Sequence, residues 1–239
     1  MRIHVFVADL FAANCAVVVD EESKQAVIID PGLGVADQVL QFVADEEVEV
    51  VAICITHGHL DHVADVSKLA AHLNAPVFIG SGDAYRLTDP SQQLPSAFIQ
   101  PFQQQWLSHG WTRPSMVEQV GEDDVVNLGN HMLQAIPAPG HTEGSTLWLL
   151  DTPAKFEGAF STEAERVLFT GDVLFADSIG RTDLLGGNNK LMVESLEVFD
   201  ELDPSLTVMA GHGPLTTVGT EVNENMHLRQ ARQMRNNFM

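Results

Sequence analysis

Apolar positions along the chain follow two rhythms. Short β-branched runs at "IHVFV" (3–7), "CAVVVD" (15–20), "QAVIID" (25–30), "VVAICI" (50–55) and "PVFIG" (76–80) have the length and composition of strands. Between them, Val35, Val39, Leu40 and Val43 recur at helical spacing. Val63, Val66, Leu69, Ala70 and Leu73 do the same, and Asn74 with Pro76 beyond it should end that helix. "DPG" at 30–32 is a turn. Strands alternating with helices predict a layered α/β domain.

Strand-like runs resume at Met116. Leu191, Leu196, Val198, Phe199 and Leu202 predict a helix over 188–202. The polar tail 219–239, with Arg229, Arg232 and Arg235, reads as a short surface helix. Two stretches break the rhythm. Residues 81–116 are polar and Gln-rich and are expected to form an irregular insertion or lid. Its Trp106 and Trp111 either wall a substrate pocket or pack onto the core. Residues 154–165 are expected to form an exposed excursion between "STLWLL" (145–150) and "RVLFT" (166–170). With no internal repeat and no low-complexity segment, residues 1–239 read as a single domain.

Composition narrows the partners. Lys and Arg total 12 against 33 Asp and Glu, a formal charge of -21. Such a surface repels phosphate backbones and anionic membranes, which argues against nucleic acid or membrane as a partner. The first twenty residues hold Arg2, Asp9, Asn14 and Asp20 with no sustained apolar run, so no signal peptide is expected. No stretch has the length needed to span a bilayer. Cys15 and Cys54 sit in apolar runs and read as buried, reduced core thiols, which points to the cytoplasm.

The candidate chemistry sits where strands end. "VVAICIT" runs into "HGHLDH", "MLQAIPAP" into "GH" at 140–141, "RVLFT" into "GD" at 171–172, and "LTVMA" into "GHG" at 211–213. Buried strands deliver their ends to one edge of a sheet, and glycine lets the backbone turn there. His57, His59, Asp61, His62, His141, Asp172 and His212 would then share one rim. Imidazole and carboxylate together suit zinc, iron or manganese, and seven groups exceed one tetrahedral site. They suit two metals sharing a carboxylate. Taken singly, Asp61 reads as a helix N-cap, and His141 or His212 as a turn residue. Taken together, those readings require four independent coincidences. His4, His72, His109, His131 and His227 lack this context and read as structural or exposed.

"THGHLDH" resembles the H-x-H-x-D-H signature of the metallo-β-lactamase superfamily. "PGHTEGS", "FTGD" and "GHGP" resemble that family's later ligand motifs, in the same order. The resemblance extends from "NCAVVVD" to "GHGPLTT". It implies a four-layer αββα sandwich with the metal site at one edge of two facing sheets. It further implies that His57, His59 and His141 hold one metal, that Asp61, His62 and His212 hold a second, and that Asp172 bridges them. Asp30 in "IIDPG" would orient a ligand from behind.

The stretch "LFTGDVLFADSIGRTDLLGG" (168–187) resembles glyoxalase II-like thioesterases and persulfide dioxygenases. Within it, Arg181 and Asp183 are expected to form a buried ion pair fixing the loop, with a substrate role for Arg181 as the lesser option. Full-length glyoxalase II carries a helical C-terminal domain that holds glutathione, and the short stretch after Gly213 departs from that pattern, so classical glutathione recognition is not expected. The expected activity is hydrolysis of a small-molecule thioester by a metal-bridged hydroxide, with two zinc ions, or iron or manganese, as cofactors. Asp61 or Asp172 would handle the proton. A mononuclear iron persulfide dioxygenase, built on His57, His141 and Asp172, is the alternative, followed by a lactonase. A zinc β-lactamase ranks lower, because Asp172 stands where the usual second-site cysteine would be. Nuclease, flavodiiron and purely structural metal-binding readings also rank lower.

Overall fold

The computed structural model describes residues 1–93, 97 and 100–238. The strands are β1 (Arg2–Val7), β2 (Asn14–Asp20), β3 (Gln25–Ile29), β4 (Glu49–Ile55), β5 (Val77–Gly80), β6 (Val117–Val120), β7 (Val125–Leu128) and β8 (His131–Pro137). They continue with β9 (Thr146–Leu150), β10 (Ala154–Gly158), β11 (Glu163–Ala164), β12 (Val167–Gly171), β13 (Leu174–Phe175), β14 (Ser178–Ile179), β15 (Thr207–Ala210) and β16 (Thr216–Thr217). An eight-stranded sheet runs in the order β11-β10-β1-β2-β3-β4-β5-β6. A six-stranded sheet runs in the order β16-β15-β12-β9-β8-β7, and β13 pairs with β14 alone.

Alternation within the strands builds the layers. In β2, Ala16 and Val18 face the second sheet, where they join Trp148, Leu150, Phe169 and Met209. Cys15, Val17 and Val19 face the opposite way. There they meet α1 (Ala36–Glu46) through Val39 and Val43, and α3 (Val66–Leu73) through Val66 and Leu69. A two-residue side-chain period on a strand buried on both faces produces this result. The outer face of the second sheet, with Leu147, Leu149, Leu168 and Val208, is covered by Met192, Val193, Leu196, Phe199 and Leu228. The architecture is therefore helix, sheet, sheet, helix. Helix α3 ends at Asn74, whose φ of 52° closes the helix with a left-handed turn.

Three expectations change. Residues 154–165 are not an exposed excursion. Strand β10 pairs in parallel with β1, Arg2 opposite Lys155, and β11 extends the sheet. Ala154, Phe156 and Ala164 are buried between the sheets, so the alternation in "AKFEG" is that of a strand with one buried face. The tail is not merely on the surface: its last helix (Met226–Phe238) buries Leu228 and Ala231. The segment after β5 winds into 3-10 turns, Ser81–Thr88, Pro90–Gln93 and Gln100–Phe102, and then a short α-helix, Gln103–His109. Trp106 is buried there with Leu10, Leu33, Leu60 and Ala64, with Trp111 packed alongside. The part of the expected lid at 94–96 and 98–99 lies outside the described residues. Cys15 and Cys54 are free thiols buried on opposite faces of the first sheet, and burial raises both their pKa values.

Candidate metal centre

Four strand ends meet at one edge. Strand β4, in the first sheet, delivers Thr56 and His57. In the second sheet, β12 runs parallel to β15 and antiparallel to β9, which is itself antiparallel to β8. Strands β8, β12 and β15 therefore end on the same side, just ahead of His141, Asp172 and His212. Hydrogen bonds join the sheets at this edge: Thr146 N–H to Thr56 O at 2.8 Å, Trp148 Nε1 to Ile55 O at 3.1 Å, and Asn14 N–H to Gly211 O at 2.7 Å. At Gly211 a Cβ would fall 2.3 Å from Asp172 Oδ1 and 2.6 Å from a His62 ring carbon, so only glycine lets the second sheet come this close. Asp61 and His62 stand on a single helical turn, α2 (Leu60–Val63). The residue capping that turn is His59, so Asp61 is not an N-cap.

All seven residues named from the sequence lie together. The ligand atoms of His57, His59 and His141 lie within 4.8 Å of one another, as do those of Asp61, His62 and His212. Asp172 stands between the groups. Its Oδ2 is 3.6 Å from His141 Nε2, and its Oδ1 is 3.4 Å from His62 Nε2 and 3.6 Å from His212 Nε2. Asp61 Oδ2 lies 3.2 Å from His212 Nε2.

The outer hydrogen bonds decide which nitrogen of each ring carries the proton. His141 Nδ1 lies 2.8 Å from Arg181 O, and His212 Nδ1 lies 3.0 Å from Phe11 O. A carbonyl only accepts, so both Nδ1 atoms donate and both Nε2 atoms keep a lone pair. Thr56 gives its one hydroxyl proton to Asp30 Oδ2 at 2.5 Å, so its oxygen accepts from His57 Nδ1 at 3.1 Å. His62 Nδ1 donates to the same carboxylate at 3.0 Å. With Nδ1 committed outward on each, the Nε2 atoms of these four imidazoles point inward and offer lone pairs when deprotonated. Two of them, on His62 and His212, lie 3.2 Å apart, and His57 Nε2 is buried with no hydrogen-bond partner. Converging lone pairs and carboxylate oxygens are the donor set of a divalent cation, so the residues fit the expected metal. The further grouping of Asp30, His57 and His62 is different in kind. It uses nitrogens and oxygens already committed to Thr56 and to one another, and it orients the rings from behind. Asp30 holds this place at a φ of +49°, an uncommon conformation for a non-glycine residue.

Charge follows the same division. Burial drives the His57 pKa well down and that of His59 to about 3, so both are neutral donors. Burial opposes charge on His62 as well, but Asp61 and Asp172 outweigh it and raise its pKa well above the ordinary value. His212 is raised against burial by its hydrogen bond to Asp61 and by the charge of Asp172. Burial would raise both carboxylates, yet the neighbouring imidazoles hold Asp61 and Asp172 below their ordinary range. The second group therefore attracts positive charge, while His57 and His59 offer neutral nitrogen.

A cavity of about 400 Å³ opens on these residues. Its apolar wall is Phe11, Phe175 and Leu184, and Arg181 also lines it. The Arg181–Asp183 pair forms, with Nε to Oδ1 at 2.7 Å, but the two side chains are 51% and 67% exposed. The expected buried pair is a solvated one. The Arg181 backbone carbonyl anchors His141. Trp106 and Trp111 are not among the lining residues. Thr56 went unnoticed in the sequence, although it sits inside "ITHGH". So did Asp83 and Arg86, an i, i+3 pair in a polar stretch that carries no motif.

This edge-mounted constellation between two sheets defines a class of metal-binding αββα proteins. The model of the metallo-β-lactamase superfamily matches residues 8–212, and the chain belongs to that superfamily. Hydroxyacylglutathione hydrolase GloC of Haemophilus influenzae is 29% identical over 229 residues, spanning 95% of this chain and 98% of that protein. Two crystal structures share the fold. The BLEG-1 B3 metallo-β-lactamase has a TM-score of 0.71 at 27% identity, covering 94% of this chain and 98% of that one. TTHA1623 in a di-iron-bound form has a TM-score of 0.70 at 26% identity, covering 93% and 98%.

Proposed function

We propose that this chain is a two-metal hydrolase that cleaves a thioester of a small thiol. The observation that carries the reading is the Asp172 carboxylate, one oxygen facing His141 and the other facing His62 and His212. His57, His59 and His141 would hold one ion and Asp61, His62 and His212 the other, with Asp172 shared. Zinc suits this nitrogen and oxygen set, and iron or manganese would also be accepted. When bound, such a pair supplies Lewis acidity and lowers the pKa of water from about 15.7 towards about 7.

The rest of the chemistry falls to the protein. Asp61 or Asp172, each kept ionised by its histidine neighbours, would accept the proton of the attacking water. Phe11, Phe175 and Leu184 give the cavity an apolar wall that shields the thioester from bulk solvent. The thiolate leaves as a stable anion and needs little protonation. The likeness to GloC supports a thioester of a small thiol as substrate. A net charge of -21 disfavours nucleic acid and anionic membranes, and among the described residues no helix is long and apolar enough to cross a membrane.

The test is metal analysis of purified protein with three parallel assays: thioester cleavage, oxygen consumption with a persulfide, and β-lactam hydrolysis. Two equivalents of metal with thioester cleavage is the expected result. One equivalent of iron, with oxygen uptake and no thioester cleavage, would replace this reading with a persulfide dioxygenase. β-Lactam hydrolysis alone would replace it with a lactamase.

A further inference from the structure

Asp83 and Arg86 belong to neither ligand group, yet the first group hangs on them. Both side chains are fully buried, on the 3-10 segment Ser81–Thr88, with Arg86 Nε 3.0 Å from Asp83 Oδ1. Asp83 Oδ2 accepts from Gly58 N–H at 2.7 Å and from the Thr142 hydroxyl at 2.7 Å, and Oδ1 accepts from Gly144 N–H at 2.9 Å. Gly58 separates His57 from His59, and Thr142 follows His141. One carboxylate therefore ties together the two chain segments that carry all three histidines, one from each sheet. The seat is close: a Cβ on Gly58 would lie 2.6 Å from Arg86 Cδ. Arg86 then reaches outward. Its Nη2 donates to Leu185 O at 2.9 Å and to the Glu143 carboxylate. That fastens the stretch that supplies Leu184 to the cavity wall and the Arg181 carbonyl to His141.

We propose that Asp83 is a positioning residue for the metal site formed by His57, His59 and His141, and that Arg86 locks this site to the cavity wall at 181–185. A buried ion pair is a poor way to gain stability, since neutral residues of similar shape often serve as well. Three donors from two ligand-bearing segments on one carboxylate are instead what fixes a separation between ligands. The inference rests on the reading of those three histidines as a metal site.

The experiment is chelator competition with cobalt(II), read together with its visible absorption. In His212→Ala protein, which keeps the first group intact, adding Asp83→Asn should weaken cobalt binding about 10- to 100-fold, the usual effect of removing a partner behind a ligand. The absorption bands should also shift. In His59→Ala protein, which reports the second group, Asp83→Asn should leave affinity unchanged. Asp83→Asn alone removes one of the carboxylates paired with buried Arg86 and can unfold the chain. The double variant Asp83→Asn/Arg86→Gln, which buries no charge, is therefore measured beside it and should show the same selective weakening. Equal weakening in both backgrounds overturns the proposal, as does an unchanged affinity and spectrum with only a lower unfolding midpoint. Failure of the underlying reading looks different: His59→Ala would then take up as much cobalt as the unsubstituted chain.

Discussion

His62 shows how much one side chain is asked to do. Its Nδ1 is spent on Asp30, and its Nε2 faces Asp61, Asp172 and His212 at 3.5, 3.4 and 3.2 Å. It has no place in the group of His57, His59 and His141. His62→Ala should therefore cost thioester cleavage about 10²–10³ in kcat, the usual effect of losing an electrostatic element that acts on the reacting atoms. His141→Ala should abolish activity, because both candidate chemistries use its group. Steady-state kinetics at metal levels too low to refill a damaged site checks both. Undiminished cleavage by His62→Ala would mean that one metal suffices and that the role given to the second group is wrong.

At the scale of elements, the legible parts were those where local pattern and tertiary role agree. Strand β4 reads as apolar and then meets a knot of histidines, and strands β8, β12 and β15 repeat that change, so a shared rim was legible from the strand ends together with the family resemblance. Strand β10 was illegible because it is five residues long and half polar, and its pairing with β1 and β11 is what makes it a strand. Asp83 and Arg86 were illegible because a buried ion pair leaves no periodic trace. Its meaning lies in contacts to Gly58, Thr142 and Leu185, which are remote in sequence. The two tryptophans were ambiguous because aromatic residues in a polar stretch suit a pocket wall as well as a core. The structure places Trp106 against Leu10, Leu33 and Leu60, with Trp111 donating to Leu87 O at 3.2 Å. Trp106→Ala should then destabilise the chain by about 3–5 kcal/mol, as removal of a large buried aromatic does. Urea unfolding and substrate saturation measured together check this. A changed KM with an unchanged unfolding midpoint would return the residue to the pocket.

At the scale of the whole molecule, the proposed ligand set spans the interface between the two sheets. His57, His59, Asp61 and His62 follow β4 in one sheet, and His141, Asp172 and His212 follow β8, β12 and β15 in the other. The interior of the sandwich is apolar and holds the sheets along their length. At the edge the holding groups are polar, and they include buried carboxylates and imidazoles that approach one another only because the fold brings them there. A metal bound by residues from both sheets binds the folded chain and not the separated strands, so its binding free energy adds to folding. At free metal about 100-fold above the dissociation constant, each site contributes about 2.7 kcal/mol. For a chain of 239 residues, that shifts the unfolding midpoint by about 5–10 °C per site. Chelation should therefore lower the midpoint by about twice that amount. His212→Ala removes one ligand of the second group and leaves the first intact, so the metal-dependent part of the shift should fall to about half. Differential scanning calorimetry with and without chelator, on both proteins, measures each share. A chelator-independent midpoint in the unsubstituted chain would show that the apolar interior alone joins the sheets. A full-sized shift in His212→Ala would show that the first group accounts for all of it.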